Sequence, residues 1–360
     1  RGPETAWKIF LDFRNGDGAW EGYPQKTRDN FLHRTQGHVA NLKSNMKNQT
    51  PATELATITT PTLVLAGESD ILIPLAQSRR IHQAMAGAEV LTGAGVSRII
   101  PGADGVEVVW DGASGSRSVT AGQVLSGVAP WVLRILLGEG EHPDKPVGSQ
   151  LKINVLLDRL PRLRSGVDPT EAFAGTLHLG EDHSQIERAY AEAAAGQVPS
   201  TMPGEVYCHS LTDPSILGDA PEGTHTLTYF GLPPPATLFE TDREARKALA
   251  VERALAELDK HLAEPIASCI ATDAHGRPCI EAKIPQEIEA DLAMPGGHIF
   301  HGDLEWPWAA NRALLDTPAA RWGVQTDHER VLLCGSGARR GGAVSGLGGH
   351  NAAQAALESR

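Results

Sequence analysis

The residues best able to do chemistry lie near the carboxyl end. There the apolar run Val331-Leu332-Leu333-Cys334 passes directly into Gly335-Ser336-Gly337, then Gly341-Gly342-Ala343-Val344, Gly346 and Gly348-Gly349. Seven glycines in 15 residues need a reason, because glycine inside a helix costs about 1 kcal/mol against alanine. They make sense where backbone must approach a ligand closely or turn with positive φ. The alanine-rich segment behind them predicts a helix through about Leu357, and a helix amino terminus presents free N–H groups and the positive end of the macrodipole. That suits an anion or an electron-rich carbonyl. The competing account is a tight turn that caps a packed helix. Arg339 and Arg340 are either a solvated pair or partners for carboxylates.

Three other constellations invite a chemical reading. His298 and His301, with Asp303, have the spacing of metal ligands, but neighbouring Ile299, Phe300 and Trp306 point instead to a loop packed near a pocket, and no metal is expected. His301, Trp306 and Trp308 are the expected pocket-lining residues, although the two tryptophans would equally anchor a loop. Asp70 ends the turn Gly67-Glu68-Ser69-Asp70, at the carboxyl end of a strand, where open α/β sheets place their working residues. A surface or helix-capping aspartate is the plainer account.

These residues need elements to position them. Thr62 to Ala66 is an unbroken apolar run, as expected of a strand buried on both faces of a parallel sheet, and the spacing of apolar residues over 75–86 predicts a helix after it. His82 is then most simply an exposed helix residue. Val96 to Ile100 and Val106 to Trp110, around Pro101-Gly102-Ala103-Asp104-Gly105, read as a hairpin. The β pattern continues over Val119 to Leu125. Pro130 to Leu137 turns helical, ends at Gly138 and is expected to be buried rather than docked on a membrane. Gly138 to Gly148 marks a boundary before a strand over Leu151 to Leu157. Ser184 with Glu187, and Thr241 with Glu244, match capping boxes. The second precedes a helix over 242–263, which Pro265 stops. Thr226 to Phe230 reads as a strand with Tyr229 and Phe230 in the core, and Pro233-Pro234-Pro235 as a stiff local turn.

Composition narrows the classes. With 32 Lys plus Arg against 44 Asp plus Glu, the net charge of −12 and the lack of any basic run argue against nucleic acid. No apolar run approaches the roughly 20 residues of a membrane span. The 4 cysteines fall at no close pair spacing, which fits a reducing cytoplasm. The chain opens at Arg1 with neither an initiator Met nor a leader-like apolar segment, so its true start is expected to be missing. At 360 residues and 41% hydrophobic it is long enough for one large core or two ordinary ones.

The residues also carry two resemblances. The glycine-rich segment from Val331 to Gly346, with His350-Asn351-Ala352-Ala353, resembles the carboxyl-terminal flavin-contacting motif of the phytoene-desaturase-like FAD oxidoreductases. The closest branch is that of pyridine nucleotide-disulfide oxidoreductase domain-containing protein 2. Val124-Leu125-Ser126-Gly127-Val128-Ala129-Pro130, Lys152-Ile153-Asn154 and Met294 to Gly302 follow in family order, so the resemblance covers about residues 90–360. It implies FAD as cofactor, contacts from Gly335, Ser336, Gly337, Gly341, Gly342, Ala343 and Val344, and hydride transfer from the C–H bond of a small, apolar substrate. Residues 1–89 resemble the late part of an α/β-hydrolase, with Asp70 in the place of its triad acid.

Each resemblance lacks its beginning. No G-x-G-x-x-G turn occurs, since Arg98 stands where Gly93-Ala94-Gly95 would need its third glycine, and no G-x-S-x-G occurs anywhere. The expected fold class is therefore α/β and α+β: an incomplete FAD-binding domain with a substrate domain, preceded by an α/β-hydrolase-like fragment. The expected boundaries are 1–90 for the fragment, 91–137 with 325–360 for the remains of the FAD-binding domain, and 138–324 for the substrate domain. Such a chain is a hybrid of two incomplete enzymes, whether recombined, misassembled or engineered. The expected function is that of the flavin family. An α/β-hydrolase acting on an ester, or a non-catalytic hybrid, is the alternative.

Overall fold

The computed structural model describes residues 61–65, 87–140, 144–304, 309–339 and 346–359, with scattered positions before residue 61 and at 83 and 85. Two compact units separate at Thr92/Gly93. In the first, β1 (Thr62–Leu65) pairs in parallel with β2 (Ala88–Leu91). All four residues of β1 are half-buried rather than buried on both faces, because β2 is its one partner among the described residues. Of the helix expected over 75–86, only Gln83 and Met85 are described, and Gln83 is helical.

The second unit opens with an antiparallel meander of β3 (Gly95–Pro101), β4 (Val106–Gly112) and β5 (Gly115–Ala121). The Gly102 N–H closes the first turn on the Gly105 carbonyl at 2.7 Å. Central β4 carries the buried residues Val106, Val108, Val109 and Trp110. The run expected over Val119 to Leu125 breaks in two at Gly122: β6 (Val124–Ser126) leaves the meander and pairs in parallel with β12 (Val331–Leu333). Helix α1 (Pro130–Leu136) follows, with proline in its first turn and Gly138 beyond its end at φ 76°. Its Leu133 packs with Ile99, Val106 and Val331. Only that face is covered, and Ile135 is exposed, so α1 is half-buried instead of buried.

Most of the core belongs to an antiparallel sheet of order β11-β7-β10-β9-β8. Its strands are β7 (Ser149–Leu157), β8 (Leu177–Leu179), β9 (Gly204–Tyr207), β10 (His225–Pro235) and β11 (Ile280–Lys283). The inward residues Leu151, Ile153, Val155 and Leu157 alternate with Lys152, Asn154 and Leu156, as a period of two requires. The inner face packs under α2 (His183–Ala194) and α3 (Arg243–Asp259) through Ala250, Ala254 and Leu258. Tyr229 is in this core, donating to the Met202 carbonyl at 2.9 Å, whereas adjacent Phe230 points to the other face and is only half-buried. The three prolines form no free-standing turn: they end β10 across a register shift between Gly231 and Pro235, where a missing N–H is tolerated.

Neither expected capping box forms. Helix α2 begins two residues early, with Asp182 as its cap, so Ser184 lies inside the helix. Helix α3 is capped by Asp242 at φ 49°, which puts Glu244 one position short of reciprocating. Half of a capping box exists instead at α4 (Pro285–Leu292), where the Ile284 N–H donates to the Glu287 side chain at 3.0 Å and the Glu287 N–H returns to the Ile284 backbone carbonyl. The last two helices are α5 (Pro318–Trp322) and α6 (Leu347–Glu358). No helix among the described residues is long and apolar enough to cross a membrane.

Candidate functional site

The parallel ladder of β6 and β12 runs one step past its last strand residue, where the Cys334 N–H donates to the Ser126 carbonyl at 2.8 Å. This brings the two strand-end turns, 127–130 and 335–338, face to face. A Cβ on Gly335 would collide with the Gly127 carbonyl, and one on Gly337 with the Pro130 ring. Helix α6 starts after Gly346, at φ 69°, and a Cβ on Gly348 would collide with the Gly335 carbonyl. Three glycines of the motif are thus required by packing within the protein, Gly335 and Gly348 against backbone and Gly337 against a proline ring. The cluster beneath them is Val324, Leu332, Ala338, Ala352 and Ala355. Burial pushes the Cys334 thiol up to about 11, which leaves it an inert thiol at neutral pH.

A second loop reaches the same place from the large sheet. Gly296 and Gly297 both have positive φ and form a turn pinned at the start of β7: the Gly148 N–H donates to the Gly296 carbonyl at 2.9 Å, and the Gln150 side-chain amide donates to Gly297. Side chains at 296 and 297 would strike Pro146 and Pro285. From this anchor the chain runs to His301, whose N–H donates to the His298 carbonyl at 2.9 Å. His301 then stands beside the glycine turn, its Cβ 3.5 Å from where a Gly337 Cβ would be.

The two histidines differ in surroundings. His298 accepts from the Phe300 N–H through Nδ1 at 3.2 Å, and its Nε2 lies 3.9 Å from a fully exposed Asp303 carboxylate. Among the described residues no three His, Cys, Asp or Glu side chains converge on a metal position. His301 is half-buried, and burial, with a smaller contribution from His298, holds its imidazole below the ordinary histidine range. Its Nδ1 is buried and has no hydrogen-bond partner among the described residues.

The structure therefore brings together Gly335, Ser336, Gly337 and His301. Gly341, Gly342, Ala343, Val344, Trp306, Trp308, Asp70 and His82 lie outside the described residues. Sequence reasoning missed Gly148 and Gln150, which hold the His301 loop. No local signal pointed to Gln150: it has the outward parity of Lys152 and Asn154 on β7, yet it is 1% exposed. A cavity of about 530 Å³ opens on the sheet, lined by Asn154, His209, Ile216, Thr228 and Glu281 among others, and includes none of the residues expected to bind cofactor or substrate. The Glu281–Asn154–Thr228 row across it is already internally hydrogen-bonded. The glycine turn with its orphaned imidazole nitrogen is the better candidate.

No family model matches the chain. An uncharacterized protein of Mycobacterium tuberculosis is 49% identical over 301 residues, covering 81% of this chain and 54% of that protein. Pyridine nucleotide-disulfide oxidoreductase domain-containing protein 2 of Rattus norvegicus is 31% identical over 215 residues, 56% of this chain and 34% of that protein. The chain thus spans about half or less of the length of these relatives. Among solved structures, a putrescine oxidase redesigned in cofactor binding is similar over 78% of this chain and 51% of its own, at 16% identity and a TM-score of 0.39. That degree of likeness does not define the fold.

Proposed function

We propose that residues from about 90 onward belong to an FAD-dependent oxidoreductase of the phytoene-desaturase-like group, acting in the cytoplasm on a small apolar molecule. In this reading 91–137 and 325–360 are the cofactor side and 138–324 the substrate side. The observation that carries it is the meeting of Gly337 with His301: a segment resembling a flavin motif and a segment resembling a pocket loop, 36 residues apart in sequence, are neighbours in space. The parallel pairing of β6 with β12 supports the same division, since it joins 124–126 to 331–333 across the intervening sheet. The identity to the rat relative supports the family.

The residues present fit a flavin on one structural test. His301, whose buried Nδ1 has no partner among the described residues, adjoins through its Cβ a turn in which the Gly335 and Gly337 N–H groups make no hydrogen bond among the described residues. FAD, when bound, would accept the hydride from a substrate C–H bond. The chain's own part is to orient and exclude water. The 335–337 turn, clamped between Gly127, Pro130 and Gly348, holds backbone donors rigidly, and a donor that need not reorganise is worth more than a mobile one. Gly341, Gly342, Ala343 and Val344 would continue that surface, and Trp306 and Trp308 would line the substrate side. Burial favours the neutral form of His301, which offers one donor and one acceptor.

Titration of the purified chain with FAD, followed by flavin fluorescence, tests the reading. Saturable quenching is expected. A linear response up to millimolar FAD, together with labelling by a serine-directed phosphonate, would replace it with the hydrolase reading. A linear response without labelling would leave a non-catalytic protein.

A further inference from the structure

His301 has two features that the path of its loop does not require. Its backbone is left-handed, at φ 63°, a conformation uncommon for residues with a side chain although histidine adopts it more readily than most. Such departures persist where the surroundings over-determine them, and they gather at binding sites. The other feature is the buried Nδ1 without a partner. The one loop N–H that bonds an imidazole here, that of Phe300, goes to His298 instead. Buried polar atoms without partners are few in native proteins, and each calls for an explanation such as a missing water or ion. The Gly335 and Gly337 N–H groups, which make no hydrogen bond among the described residues, belong to the turn whose Gly337 adjoins the His301 Cβ.

We infer that His301 is a cofactor-positioning residue, whose Nδ1 hydrogen-bonds the polar edge of a flavin ring seated against the 335–337 turn. The inference rests on the flavin reading above and deepens it by moving His301 from the substrate side to the cofactor side. An apolar substrate has nothing to offer a buried nitrogen. The pyrimidine edge of a flavin has carbonyls and an N–H, which match both an imidazole nitrogen and backbone donors. The anchoring at Gly148 and Gln150 then has a purpose: it fixes the loop that carries His301 to the turn, with its Cβ beside Gly337.

The test uses the full chain and FMN, which carries the flavin ring and dissolves to millimolar concentration. In histidine-¹⁵N-labelled protein, the Nδ1 resonance of His301 is expected to move on saturation with FMN while that of His298 stays near its free position. His301→Leu removes the nitrogen and is expected to weaken FMN binding about tenfold. His301→Asn keeps a polar atom at the Nδ1 position and tolerates the left-handed backbone, and it should restore affinity to within about twofold and most of the bound-flavin absorption shift. Thermal unfolding without ligand should show that His301→Leu still folds cooperatively, with a modest loss of stability from leucine at a left-handed position. Two outcomes overturn the inference while sparing the flavin reading: FMN binding with an unmoved His301 resonance, or equal affinity in the Leu variant. Failure of the parent chain to bind either FMN or FAD removes both.

Discussion

Glu264 illustrates how a single side chain ties distant loops together. Both its oxygens accept from Arg159, at 2.7 and 2.8 Å, and Oε1 also accepts the Arg162 N–H at 3.2 Å. The Arg159 hydrogen bonds, then that of the Arg162 backbone, hold its carboxyl down to about 2. A carboxylate with a depressed folded-state pKa stabilises the protein fully above its unfolded value and loses that contribution as pH falls to the folded one. The window here runs from 4.5 down to about 2. Glu264→Gln should therefore lower the melting temperature at neutral pH, and the gap from the parent should close as pH falls through that window in circular-dichroism melts. A gap independent of pH would mean that the side chain acts by packing alone. Asp70 supplies the opposite expectation: with no G-x-S-x-G in the sequence, Asp70→Asn should leave any esterase activity unchanged. A tenfold fall, about 1.4 kcal/mol, would reveal a nucleophile assembled from other residues.

At the scale of elements, the seat of α6 on the β12 turn is the contact on which the candidate site depends. Gly348 and Gly349 are adjacent on that helix and gain equally in helix propensity from alanine, about 1 kcal/mol each. Their surroundings differ: a Cβ on Gly348 would strike the Gly335 carbonyl, whereas one on Gly349 meets nothing nearer than 3.7 Å. Gly348→Ala should cost about 1–3 kcal/mol, because backbone must shift to admit the methyl group. Gly349→Ala should be neutral or stabilising. Urea denaturation of the two variants separates packing from propensity, and equal effects would show that α6 does not press on the turn. The helix is further tied at its far end, where Glu358 accepts from Arg321 and Trp322, both at 2.9 Å.

For the whole molecule, the expected flavin affinity follows from what the sequence lacks. The dinucleotide fingerprint brings backbone N–H groups to the pyrophosphate and is absent from these 360 residues. Forgoing several charge-assisted hydrogen bonds at about 1.5 to 3 kcal/mol each moves a tight site to micromolar or weaker. The adenylate half of FAD then adds little, so FAD and FMN should bind with constants within a few-fold of one another in calorimetry. Stoichiometric submicromolar binding of FAD with much weaker FMN would show that another segment replaces the missing turn. The division of the described chain at Thr92/Gly93 leaves Gly335, Gly337 and His301 in the second unit.

Periodic and punctuating signals were legible without coordinates. The hairpin around 101–105 and the strand from Leu151 depend on alternation and glycine, which act within a few residues of themselves; the helix expected over 242–263 is present but ends at Asp259, before Pro265 can act on it. So was the glycine motif, because seven glycines in 15 residues contradict the alanine-rich helix that follows. The two capping boxes misled, since a shift of one or two residues in where a helix starts is decided by tertiary packing and not by the cap. Phe230 misled because a strand alternates faces, and only the pairing of β10 with β7 and β9 settles which face is inside. The meaning of individual glycines was likewise invisible. A ligand and another stretch of backbone make the same demand for a missing Cβ, and it took the parallel pairing of β6 with β12 to show that Gly335, Gly337 and Gly348 answer to Gly127, Pro130 and each other. The placement of His301 beside Gly337 is decided only by the anchoring of its loop at Gly148 and Gln150, a contact between residues almost 150 apart that no local pattern encodes.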